Sequence, residues 1–120
     1  MDDGDGLTTW RPAPDVAVVA LSGELDIATE PAARGYLRAC TRDRPRHLVL
    51  DLSGVTFLAS HGLRLLVAAA LHDDGIHGEL HLAGVAPDSH VNRVLRLTGL
   101  ADRLHVEPDV EILLKALAEG

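Results

Sequence analysis

The pattern of this chain predicts an α/β fold: a mostly parallel sheet of about five strands, with an N-terminal hairpin strand and four helices. Three observations lead there. Short runs rich in Val and Leu alternate with longer stretches whose apolar residues recur at helical spacing, the sign of strand–helix–strand units with right-handed crossovers. The first two runs are instead separated only by Pro12-Ala13-Pro14-Asp15, a turn by composition, and so form a hairpin. Trp10, Tyr36 and Phe57 are the only aromatic residues in a chain that is 47% apolar. The core is therefore built of Leu, Val and Ala, which suits small helices laid on a sheet. A length of 120 residues fits one domain, expected over residues 7–120, behind a flexible acidic tail at residues 1–6.

Taken in order, Leu7 to Arg11 is a first short strand and Val16 to Leu21, almost purely β-branched, is the second, ended by Ser22-Gly23. A helix starts at Ala28 or Thr29 with Glu30 and Pro31 in its first turn and runs to about Cys40. Its expected buried side holds Ala32, Ala33, Tyr36, Leu37 and Cys40. After the charged loop Arg42 to Arg46, Leu48-Val49-Leu50 is too short for a helix and reads as a buried strand. Asp51 to Ala59 is expected to be a connector. At Ser60 the period becomes helical, carried by Leu63, Leu66, Val67, Ala70 and Leu71. Ser60 stands at the expected N-cap, where its hydroxyl can accept a bond from a free backbone N–H.

His72-Asp73-Asp74-Gly75 stops that helix. Glu79 to Ala83 is a strand, and Pro87-Asp88 opens a helix through Val91, Val94, Leu95 and Leu97, closed by Thr98-Gly99. Leu104 to Val106 is the last strand. Pro108 is expected at N1 of a final helix with Val110, Ile112, Leu113, Ala116 and Leu117 on its apolar side. Ala20-Leu21-Ser22-Gly23 and Asp51-Leu52-Ser53-Gly54 each follow a strand and precede a helix. Parallel strands that end alike would bring Glu24-Leu25-Asp26 close to the Ser60 turn.

The totals exclude several classes of function. A formal charge of −7 is the wrong sign for nonspecific nucleic-acid binding and fits a soluble protein or one meeting a basic partner surface. Cys40 is alone, so no internal disulfide forms. Met1 to Gly6 is acidic where a signal peptide is basic and then apolar, and no run approaches the ~18 apolar residues of a membrane span. A cytoplasmic protein is expected. No phosphate loop or dinucleotide fingerprint is present, and no cofactor is expected. Among seven histidines, His77, Glu79 and His81 alternate along one strand. They lack a Cys partner or a helical His-x-x-x-His pair, so they are expected to be solvated and to bind no metal.

The stretch DLSGVTFLASHGLRLL, residues 51–66, resembles the signature of STAS domains (sulfate transporter and anti-sigma factor antagonist), most closely that of bacterial anti-sigma factor antagonists. In that family the turn reads Asp-Ser-Ser-Gly-Leu, and a partner kinase phosphorylates the first serine. The likeness puts that serine at Ser60 and the following glycine and leucine at Gly62 and Leu63. Ala59 replaces the aspartate and His61 the second serine. The likeness extends through ALSGELDIATEPAARGYL before the signature and ELHLAGVAPDSHVNRVLRLTGLADRLHV after it.

The resemblance implies the STAS fold and an anti-sigma factor antagonist. Such a protein binds an anti-sigma factor with serine-kinase activity and releases its sigma factor. Phosphorylation at Ser60 ends the complex and a phosphatase resets it, with no role for nucleic acid or membrane. Glu24, Asp26, Ser60, His61, Gly62 and Arg64 are the expected partner-binding residues, Gly62 letting a partner backbone approach closely. The altered Ala59-Ser60-His61 turn keeps open an unphosphorylated scaffold or sensor module. A small-molecule carrier or hydrolase is the third class. Ser60 and His61, neighbours at a helix start, diverge by ~100°, which is poor geometry for a nucleophile and its base. The Gly-x-Ser-x-Gly turn of hydrolases is absent, and no enzymatic activity is expected.

Overall fold

The computed structural model describes residues 6–119. Apart from Gly6, the expected acidic tail lies outside the described residues. The elements are β1 (Leu7–Ala13), β2 (Val16–Leu25), α1 (Glu30–Cys40), β3 (His47–Leu58), α2 (Ser60–Ala70), β4 (Glu79–Ala83), α3 (His90–Leu97), β5 (His105–Glu107) and α4 (Val110–Glu119). The order β-β-α-β-α-β-α-β-α matches the expectation. Strands lie side by side in chain order, β1 antiparallel to β2 and the others parallel.

This order decides where the helices go. A right-handed crossover that steps one strand in a constant direction always passes over the same face of the sheet. Accordingly α1, α2 and α3 share one face. Ala33 and Leu37 of α1, Leu65, Leu66 and Ala69 of α2, and Val91 and Leu95 of α3 are buried with Leu48, Leu50, Leu82 and Leu25 in one large core. α4, which follows the last strand, covers the opposite face. There Val110, Leu113, Leu114 and Leu117 lie half-buried on Val16, Val18, Val49 and Ala83.

Three strands run further than expected, β1 continuing through Pro12 to Ala13, into the expected turn. β2 continues through Ser22-Gly23 to Leu25, and the segment from Asp51 to Leu58 is strand, not connector. Past Asp51, where β4 ends, β2 and β3 form a two-stranded ribbon through pairs such as Ser22↔Gly54 and Leu25↔Leu58, with register irregularities after Ala20 and Gly23. Gly54 belongs there because a Cβ would sit 2.8 Å from the Ser22 Cβ. Turn-type residues are thus placed in a strand by close strand-to-strand approach.

Helix starts also shift. α3 begins after Ser89, whose hydroxyl accepts the Asn92 N–H at 3.1 Å, so Pro87 and Asp88 precede the helix. α4 begins after Asp109, whose Oδ1 accepts the Ile112 N–H at 3.0 Å, leaving Pro108 outside it. Both are side-chain N-caps.

Candidate functional site

The end of β3 is tied to the end of β2. The Ala59 N–H donates to the Leu25 carbonyl at 3.0 Å, so the turn into α2 lies against the loop into α1, as the matched strand endings predict. Both turns stand at the carboxyl edge of parallel strands, where open α/β sheets present their ligand-binding loops. The loop after β2 is closed by its own side chains. Asp26 Oδ1 accepts the N–H groups of Ala28 (2.9 Å) and Thr29 (3.1 Å). The Thr29 hydroxyl donates to the Glu24 carbonyl at 2.6 Å and accepts the Asp26 N–H at 3.0 Å. Asp26 therefore shapes this loop, while Glu24 is exposed beside it.

Ser60 is the first residue of α2, not its N-cap. Ala59 occupies the cap with extended backbone and no side-chain hydrogen bond. The Ser60 side chain is exposed and, among the described residues, its hydroxyl has no hydrogen-bond partner. It is free because the residue before it took the capping position. The first N–H groups of any helix lack intrahelical acceptors, which favours negative charge near this hydroxyl.

Gly62 does something other than admit a partner. It is buried, and a Cβ there would lie 2.8 Å from the Leu25 carbonyl oxygen and 2.7 Å from Leu58 Cδ1. The close approach that glycine permits is to this chain's own β2, and it seats the first turn of α2 on the sheet. His61 is half-buried and Arg64 exposed.

The direction in which α2 faces also differs from the expected stripe. Gly62, Leu65, Leu66, Ala68 and Ala69 are its buried residues. Val67 is 36% and Leu71 66% exposed. Ser60, Arg64, Val67 and Leu71 recur at i, i+4, i+7 and i+11, so they form one outward line that begins at the free hydroxyl. Val67 and Leu71, assigned inward from sequence, are its apolar members. Arg64 was the available signal, since a charged residue marks the outward side and its helical neighbours follow. Ile27 of the β2–α1 loop and Phe57 near the end of β3 add exposed apolar surface at this end, Phe57 stacking on His90 with ring centroids 5.2 Å apart.

Residues 11–112 match the STAS domain family. The chain is 31% identical over 94 residues to the anti-sigma-B factor antagonist of Staphylococcus aureus, covering 78% of this chain and 85% of that one. It is 36% identical over 85 residues to the anti-sigma-F factor antagonist RsfB of Mycobacterium tuberculosis, covering 71% of this chain and 67% of that one. The crystal structure of an anti-sigma factor antagonist from Mycobacterium paratuberculosis superposes with a TM-score of 0.76 at 33% identity, over 97% of each chain. SpoIIAA in its unphosphorylated form shares the fold at 15% identity, with a TM-score of 0.68 over 95% of this chain and 98% of that one. This protein belongs to the STAS domain family of anti-sigma factor antagonists.

Proposed function

We propose that this protein binds an anti-sigma factor with serine-kinase activity and thereby frees the sigma factor it holds, and that phosphorylation of Ser60 by that kinase ends the complex. The observation that carries this is the exposed, unbonded Ser60 hydroxyl at the head of the Arg64–Val67–Leu71 line. A kinase needs an uncovered hydroxyl, and a partner needs surface that gains by leaving water; α2 offers the two on one side, Val67 about two turns beyond Ser60. Glu24, Asp26, Ser60, His61 and Arg64 form the contact region in this reading, with Gly62 holding α2 in place.

In the switching step, the γ-phosphoryl group of ATP passes to Ser60 Oγ, the hydroxyl proton is lost and ADP leaves. The new group carries roughly −1.5 to −2 charges. The N-terminus of α2 tolerates it, so the fold survives. The docking surface does not, because a dianion resists burial against apolar partner surface and repels acidic groups. A phosphatase restores the hydroxyl. Among the described residues no helix is long and apolar enough to cross a membrane, and a cytoplasmic place beside the sigma factor fits this role. A hydrolase reading finds no support at Ser60, whose hydroxyl is bonded to no base among the described residues.

Incubation with a cognate anti-sigma kinase and ATP, followed by phosphopeptide mapping, tests the switch: phosphate is expected on Ser60. Ser60→Asp is expected to weaken kinase binding at least tenfold while Ser60→Ala preserves it, and equal affinities would refute the switch. Val67→Asp is expected to lower partner affinity by at least tenfold, with thermal stability unchanged. Ala59 and His61, in place of the family's aspartate and second serine, favour one second reading, an unphosphorylated scaffold or sensor module. Binding that persists with no phosphate ever reaching Ser60 would select it.

A further inference from the structure

The α4 face of the sheet carries a cluster of side chains that the Ser60 site does not use. β3, β4 and β5 are parallel and in register, pairing Val49↔His81↔His105 in one row and His47↔Glu79 in another. Val49 and Ala83 pack under α4. Since strand side chains alternate, His47, two residues before Val49, and Glu79 and His81, before Ala83, share that face. Three strands thus bring His47, Glu79, His81 and His105 together. His77 is not among them: its N–H bonds to Thr41 Oγ1 before β4 begins.

The geometry is that of donors converging on one point. His47 Nδ1 stands 3.1 Å from His81 Nε2 and 3.6 Å from Glu79 Oε1. One ligand atom from each of these three residues lies within 4.8 Å of the other two. Zinc bonds of ~2.0–2.2 Å in a tetrahedral shell hold neighbouring donors about 3.3 Å apart, close to the two separations measured from His47. His105 Nε2 lies 3.1 Å from the other Glu79 oxygen. That is the outer-shell contact that commonly orients a ligating carboxylate. His81 is only 7% exposed and the His47 side chain 13%, while Glu79 and His105 open to solvent. The cluster therefore has a fixed floor of two imidazoles and an accessible mouth. Two imidazoles and a carboxylate suit a borderline transition cation; magnesium and calcium prefer oxygen alone.

We propose that His47, Glu79 and His81 bind one divalent transition cation of the zinc type, with His105 positioning Glu79 and the remaining coordination position open to solvent. The cation would join β3 to β4 on the thinly covered face, away from α2. This site is independent of the reading of Ser60.

The test uses the full chain stripped with a chelator. Zinc chloride is titrated calorimetrically, and cobalt(II) is titrated with visible absorption to report coordination geometry. One equivalent is expected to bind with micromolar or tighter affinity, to give a tetrahedral or five-coordinate cobalt band and to raise the melting temperature. Glu79→Gln, at an exposed position where folding is retained, and His47→Gln are each expected to cost tenfold or more in affinity. His105→Gln is expected to cost about tenfold, as outer-shell changes do. His90→Gln and Cys40→Ser lie outside the cluster and are expected to change nothing. Far-UV circular dichroism verifies the fold of each variant. Absence of saturable binding, binding indifferent to Glu79→Gln and His47→Gln, or binding abolished by Cys40→Ser would each overturn the proposal.

Discussion

The two faces of the sheet are built differently. Under α1, α2 and α3 lies a continuous apolar core that reaches from Leu37 through Leu50 and Leu66 to Leu95, all fully buried. Under α4 the buried apolar residues, among those described, are Val16, Val18, Val49 and Ala83, and none belongs to the helix itself. The reason is topological. Three successive crossovers of one hand must land on one side, and only the terminal helix is free to cover the other. The thick side holds the Ser60 turn to a rigid support. The thin side leaves room at its edge for polar side chains, and burial there lowers the pKa of His81 below its usual value, opposed by the neighbouring Glu79 carboxylate.

This contrast can be broken by substitution. Leu66→Ala, on the thick side, is expected to cost about 2–5 kcal/mol of stability. Leu117→Ala, half-buried on the thin side, is expected to cost about 1 kcal/mol. Urea unfolding of both variants measures the difference, and equal losses would mean that α4 carries as much of the fold as the other helices. Gly62→Ala sharpens the point at the joint between α2 and β2. Helix propensity favours alanine by ~1 kcal/mol, but the new Cβ meets the Leu25 carbonyl oxygen, and overpacking costs about 1–3 kcal/mol. A net loss in stability is expected, together with weaker partner binding as Ser60 shifts; a more stable variant would show that α2 is not seated as tightly as the packing implies. The smallest effect separates two serines at the starts of helices on the same face. Ser89→Ala removes a cap and is expected to cost about 1 kcal/mol. Ser60→Ala removes an unbonded hydroxyl and is expected to lie within ±0.5 kcal/mol of the parent.

Much of this arrangement was legible in the residues. Val16 to Leu21 and Leu48 to Leu50 are strands by composition alone, and Ser60 opens a helix by the change of period. The closeness of the Asp26 loop to Ser60 followed from the matched strand endings. Other features were not legible. Ser22-Gly23 and Ser53-Gly54 read as turns, and what makes them strand is their pairing with each other, which no local window contains. On α2, Leu63, Leu65, Leu66, Val67 and the alanines occupy almost the whole circumference, so apolar periodicity alone does not fix the inward side and Arg64 is the one charged mark of the outward one. Packing on Leu25 and Leu58 did so, and it turned Val67 and Leu71 outward. His81 looked solvated beside Glu79 because its partners His47 and His105 lie on other strands.

By itself, the sequence determined the kind and order of the strands and helices and the placing of a serine at the start of α2, because period and turn composition act within a few residues. Which face of α2 is left exposed, whether the Ser60 hydroxyl serves as a cap, how far β2 and β3 run together, and which histidines lie near one another were decided by tertiary structure. These depend on contacts between segments distant in the chain, and their energies enter only once the sheet has formed.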